Sequence, residues 1–473
     1  MRKKAALLLI LILSFCLFLP SCSTVGGDID ALLEAPKLTG DMYEIQNAVE
    51  AWAGGEIDLR YPKKGEYLSA FVLYDVDNDD VEEAVAFYSM ADDSATGEIH
   101  ISFADKTVEG NWSVVGSVPV SAVGVEQVSF ADLDGNGQME VVVGWNIFSA
   151  LEKQVAVYTA SADKFTQRLL ENYTEYVICD IMEAGYSQLL TINLNLTEKT
   201  SVAKLYHLEG SGITEEGSAA LDGSVTGYLT PVVAKLASGK PAVYVDATKG
   251  TSSMITEILY FQAVDTSAEK ASADTLQIAQ SSALMSPFHD GATNENEITS
   301  RPTTVEMWDV DGDGVMEMPL MTALPGFSSR TDDEKLYYTA WRHYDEKKFE
   351  TVLTAVMNYA AGYYIQYPDK WLEGATSKIT VSRNADSSVF QVSVWNAEAL
   401  LKETDLFRIQ QFTHADWENR DMQEYASYFV VRSDKDYVYA ACIMNRDHAL
   451  SLDEAGIESS FVLLNTRADG AAE

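Results

Sequence analysis

Cysteine, histidine and basic residues are all scarce in this chain. Four cysteines occur in 473 residues. Cys16 lies within an apolar N-terminal stretch and Cys22 just after it, leaving Cys179 and Cys442 far apart. That distribution excludes a disulfide framework and a cysteine-based zinc site, so both remaining thiols are expected to be buried. The six histidines include no H-E-x-x-H spacing, and no G-x-S-x-G elbow or P-loop is present. No reaction is named by any of these motifs. Lysine and arginine total 33 against 72 acidic residues, a net charge of −39. A surface of that sign repels phosphate backbones, which argues against a nucleic-acid partner.

What is present begins at the N-terminus. Arg2, Lys3 and Lys4 precede "AALLLILILSFCLFLP", an apolar run of signal-peptide type, too short and wrongly flanked for a membrane span. It ends in "LPSC", Leu19 to Cys22, which resembles the lipobox of bacterial lipoproteins, with Pro20 a departure from the common pattern. The resemblance implies a signal peptide over residues 1–21 and a lipid on Cys22. The mature chain would then be membrane-anchored on the extracytoplasmic face. Ordinary secretion with cleavage nearby is the alternative. Loss of residues 1–21, which hold three basic and no acidic residues, would take the charge to −42.

The strongest signal is internal repetition. "DVDNDDVEEAVAFY" (75–88), "DLDGNGQMEVVVGW" (132–145) and "DVDGDGVMEMPLMT" (309–322) align without gaps. Position one is Asp75, Asp132 and Asp309; position three is Asp77, Asp134 and Asp311. Position five is Asp79, Asn136 and Asp313, and position nine is Glu83, Glu140 and Glu317. An apolar, strand-like run follows each loop. Two worn copies share the register. One keeps Asp180, Gly185 and Gln188 at positions one, six and nine; the other, starting at Ala234, keeps only Gly239 at six. Position-one residues thus fall at 75, 132, 180, 234 and 309. Each unit reads as four short strands, which predicts propeller blades stacked face to face. The expected fold is mainly β: a propeller of about five blades over residues 60–358, then a small α+β domain over 359–473. Six or seven blades follow if 41–65 or 264–304 hides another.

These units resemble the FG-GAP/VCBS repeats of integrin-alpha-type propellers, in which a D-x-D-x-D-G-x-x-[DE] loop between two strands holds calcium. The resemblance implies about three structural calcium sites. Oxygen chemistry suits this, because calcium takes six to eight oxygen ligands from carboxylates and carbonyls. Side chains at one, three, five and nine would supply most of them, with the position-seven carbonyls of Val81, Gln138 and Val315. Position six needs a positive φ, which Gly137 and Gly314 supply and Asp80 tolerates. Position twelve holds Ala86, Val143 or Leu320 and strands flank the loop, so this is not an EF-hand. The competing reading is a plain solvated Asp/Gly turn.

Elsewhere, residues 22–59 read as a tether followed by a short helix at "MYEIQNAVEAWAGG". Residues 264–304 read as an extended loop on one propeller face. In the C-terminal domain "AEALLKETDLFRIQQF" reads as a helix, and "SLDEAGIESSFVLL" as a helix capped by Ser451. The domain's opening "GYYIQYPDKW" and closing "IESSFVLL" resemble PsbP-like domains. The functional expectation is a non-catalytic surface protein presenting a face to a protein or glycan. A polysaccharide-acting enzyme on a propeller scaffold and a structural envelope component are the alternatives.

Overall fold

The computed structural model describes residues 40–464, except 92–97, 148–152, 162, 211, 263–283, 289–294 and 332–333. The signal-peptide reading, Cys22 and most of the insert at 264–304 lie outside the described residues. Among those described, no helix is long and apolar enough to cross a membrane.

The chain is mainly β, and its sheets follow one another in sequence as propeller blades, every named ladder being antiparallel. Blade two shows the plan: Gly124–Ala131, Glu140–Asn146, Lys153–Ser161 and Lys164–Tyr173 pair in that order. Blade three repeats it with Glu175–Cys179, Gln188–Asn195, Thr200–Glu209 and Gly212–Leu221. In blades one and four the first strand is split. Ile57–Leu59 and Phe71–Tyr74 both pair with Glu83–Met90, while Gly227–Tyr228 and Val232–Lys235 both pair with Pro241–Lys249. Blade five runs Met318–Ala323, Tyr337–Tyr344, Phe349–Asn358 and Tyr363–Gln366.

Packing explains why the second strand of a blade reads as an unbroken apolar run. Glu140–Asn146 is buried along its whole length. Successive side chains point to opposite faces. Val141, Val143 and Trp145 therefore pack toward blade one, while Val142 packs toward blade three. Separate cores join blades one to two, two to three, three to four and four to five. The ends are covered differently. The helix Asp41–Ala53, closed by Gly54 at φ 76°, lays Ile45 and Val49 on blade one. The outer face of blade five packs against the C-terminal domain through Tyr338, Val356, Tyr363 and Ile365. Both terminal faces of the repeat array are thereby shielded, as stacked units require.

The structure revises several expectations. Tyr363–Gln366, read as the start of the C-terminal domain, pairs with Phe349–Asn358 and continues the sheet of blade five, and Phe461–Leu463 extends that sheet further. Ile57–Leu59, expected before the first blade, belongs to it. The segment read as a helix at 397–412 is instead a strand, Leu401–Thr413, within the five-stranded sheet of the C-terminal domain. The last helix, Glu454–Ser460, is capped by Asp453, whose side chain accepts from the Gly456 N–H, rather than by Ser451. Finally, the described parts of 264–304 are partly interior, although Glu295, Glu297 and Ile298 are exposed. Leu284–Met285 is the outermost strand of blade four, and Asn296, Thr299 and Arg301 are buried.

Candidate metal centres

The three acidic loops fold alike, for reasons visible residue by residue. Position one anchors the turn with both carboxylate oxygens. Asp309 accepts from the N–H groups of Gly312 (2.6 Å), Asp313 (3.1 Å) and Gly314 (3.0 Å). Asp132 does the same for Asp134, Gly135 and Gly137, and Asp75 for Asp79 and Asp80. Position six has the positive φ expected of it, at 68° in Asp80, 86° in Gly137 and 82° in Gly314. Position four does too: Asn78 at 62°, Gly135 at 76° and Gly312 at 80°. Sequence reasoning missed this second left-handed residue, although Asn, Gly and Gly at one offset carried the signal.

Position nine closes the loop from the strand side. Glu83, Glu140 and Glu317 are 3%, 3% and 0% exposed. In each, Oε2 accepts the position-two N–H: Val76 at 2.7 Å, Leu133 at 2.8 Å, Val310 at 2.8 Å. One oxygen from each of positions one, three and nine lies within 4.8 Å of the others in all three loops, joining Asp75, Asp77 and Glu83; Asp132, Asp134 and Glu140; and Asp309, Asp311 and Glu317. The second oxygen of Glu317, Oε1, is buried without any hydrogen-bond partner.

At position five the turn's own backbone engages the side chain. There Asp79, Asn136 and Asp313 turn back to accept the N–H of position seven, at 2.8, 2.6 and 2.8 Å. Asp79 and Asp313 stand outside the carboxylate clusters. At position seven Val81 and Gln138 are exposed, and Val315 is buried beside Lys235 in a parallel bridge to blade four.

Crowding three carboxylates beside a buried strand has an electrostatic cost. Desolvation, reinforced by the nearby aspartates, pushes Glu83 and Glu140 up to about 7 and Glu317 to about 8. Asp77 is raised by the same two causes. The metal-free loops therefore hold protons near neutral pH, which a cation would displace. Between the unfolded glutamate value near 4.5 and these folded values, the native state binds more protons than the unfolded chain. Stability of the metal-free protein is thus expected to fall as pH rises from about 5 to 8, then level off. After allowance for solvent screening the loss is about 1 kcal/mol per loop. Urea midpoints of the chelated protein at the two pH values measure it; a midpoint that rises across this window contradicts it.

The worn loop at Asp180 is an internal control. Asp180 still accepts from the Ala184 and Gly185 N–H groups, Gln188 Oε1 takes the N–H of Met182, at position three rather than two, and φ is positive at Glu183 and Gly185. The turn therefore forms with one carboxylate. Acids at positions three and nine, absent here, do something beyond shaping the backbone. Neighbouring loops are also tied together: the Met139 N–H donates to Val76 O in blade one, and the Ser187 N–H to Asp132 O in blade two.

No family model matches this chain, and no curated protein matches it. Solved structures similar to it include the exotype rhamnogalacturonan lyase YesX, at 11% identity and a TM-score of 0.27 over 74% of this chain and 67% of that one. The Dos1 propeller aligns at 10% identity and TM-score 0.26, over 70% and 65%. The periplasmic gluconolactonase PpgL of Pseudomonas aeruginosa aligns at 11% and 0.25, over 72% and 86%.

Proposed function

We propose that this chain is a lipid-anchored, extracytoplasmic binding protein whose blades are stabilised by calcium in three FG-GAP/VCBS-like loops. The observation that carries the calcium reading is Glu317: a fully buried carboxylate, one of whose oxygens has no partner, clustered with Asp309 and Asp311. An all-oxygen donor set suits a hard cation such as calcium. Asp309, Asp311 and Glu317 would hold one ion, with Asp75, Asp77 and Glu83 and then Asp132, Asp134 and Glu140 holding two more. Bound calcium would supply the positive charge that lets all three carboxylates of a loop ionise beside a buried strand. Its role is structural, since each cluster sits in a loop tied to a neighbouring blade. The ligand presented by the blades would be a protein or a glycan, and Cys22 would carry the lipid.

A polysaccharide-acting enzyme is the second reading, but none of the clefts described in this chain brings two carboxylates together. Extracellular calcium modules of this kind bind on the order of 0.1 to 1 mM. At ten times the dissociation constant each site adds about 1.4 kcal/mol. Chelation is therefore expected to lower the thermal midpoint of the full chain by several degrees, with calcium restoring it more effectively than magnesium. A midpoint indifferent to chelator removes calcium from the account.

A further inference from the structure

A cavity of about 260 Å³ lies between blade five and the C-terminal domain. Val305, Met321, Leu336, Met357 and Phe390 form much of its wall, and Tyr359 stands between it and a second, shallower cleft beside Trp308 and Trp341. Its charge runs against that of the chain as a whole. Acidic residues outnumber basic ones by 72 to 33 in the chain, yet this lining holds Lys335 and Arg383 and no carboxylate. Arg383 lies on the strand Ile379–Arg383, opposite Phe390 in the ladder, and is exposed. None of the ion pairs or side-chain hydrogen bonds found among the described residues involves its guanidinium.

A guanidinium presents a planar fork of donors matched to a carboxylate. Mostly apolar pockets with a few placed polar groups, set at a domain seam, are the usual form of small-ligand sites. We propose that this cavity binds a small amphipathic carboxylate, with its carboxylate on Arg383 and its apolar body between Met321, Met357 and Phe390. A neutral sugar is a poor fit because the walls are largely hydrocarbon. The proposal goes beyond the calcium reading and does not depend on it, since no residue of the three clusters lines the cavity.

The test is fluorine NMR titration of the full chain, at saturating calcium, with 4-(4-fluorophenyl)butanoate and with its neutral amide. The acid is expected to bind saturably and the amide at least about tenfold more weakly, in line with a charge-assisted hydrogen bond of about 1.5–3 kcal/mol. Arg383→Gln should weaken the acid by a similar factor and leave the amide unchanged, while Arg383→Lys retains part of the preference. Met321→Trp, at a half-buried site on the cavity wall, should abolish binding of both probes without moving the calcium-dependent midpoint. Equal binding of acid and amide, or an acid affinity indifferent to Arg383→Gln, overturns the proposal. So does binding that survives Met321→Trp.

Discussion

Replacing Arg301 by methionine is expected to cost about 3–5 kcal/mol of stability, because it strands a buried carboxylate. Arg301 is 1% exposed and Asp246 likewise 1%. Arg301 Nη2 donates to Asp246 Oδ1 at 2.7 Å, Nη1 donates to Thr256 Oγ1 at 2.9 Å, and Nε donates to Val305 O. Asp246 also takes the Thr256 hydroxyl (2.6 Å) and, on Oδ2, the Met307 N–H (2.7 Å). Removing the guanidinium leaves those two donors but no counter-charge in a dry interior. The segment 296–307, which this pair fastens between blades four and five, should loosen with it. A double replacement, Arg301→Met with Asp246→Leu, is expected to recover most of the loss, since an apolar pair of similar volume needs no solvation. Urea unfolding of the three proteins measures both effects. A single-variant cost below about 1 kcal/mol would show that water reaches the pair.

The second large effect is expected at Phe461. Its ring is 1% exposed, stacks on Tyr363 with centroids 4.6 Å apart, and lies 5.2 Å from Tyr439. Its backbone pairs with Ile365 in blade five, while the helix Glu454–Ser460 before it buries Ile457 in the C-terminal domain. Phe461 therefore joins the two units from both sides. Phe461→Ala should cost about 3–5 kcal/mol, the usual range for emptying an aromatic from a packed core. Because the lost contacts bridge the units, the variant should also separate one unfolding transition into two. A single transition with an unchanged midpoint would mean the seam contributes little.

These two sites mark the boundary of what could be read from sequence. The acidic loops were legible because their chemistry is local. Oxygen donors at fixed offsets, a residue tolerant of positive φ at position six and an apolar run afterwards all lie within fourteen residues, and the structure brings positions one, three and nine together. The blade plan followed, since a repeat of such loops implies a repeat of sheets. What escaped was non-local or disguised. Nothing in "FVLL" shows that Phe461–Leu463 returns to a sheet built about a hundred residues earlier. Asn296, Thr299 and Arg301 look like loop residues because polarity usually signals solvent; here they are buried and satisfied by one another. The strand Leu401–Thr413 mimics a helix for a definable reason. Val392 pairs with Phe407 and Ser393 with Asp405, so Leu406 is an extra residue in a bulge. The bulge turns Leu406 inward beside Phe407. Leu406, Ile409 and Phe412 then recur every three residues, a helical spacing carried by a kinked strand.

Position five is a subtler case. Its acids belong to the alternating pattern, yet Asp79 and Asp313 each give one oxygen to the turn's own backbone. Spacing alone does not distinguish a side chain that faces an ion from one that caps an N–H group.

Counting calcium is the most direct test of the whole account. Isothermal titration of the chelator-treated full chain should find three ions per chain, two in the Asp311→Ala variant and three still in Asp180→Ala. A chain that binds none, or one whose count falls when Asp180 rather than Asp311 is removed, would contradict it.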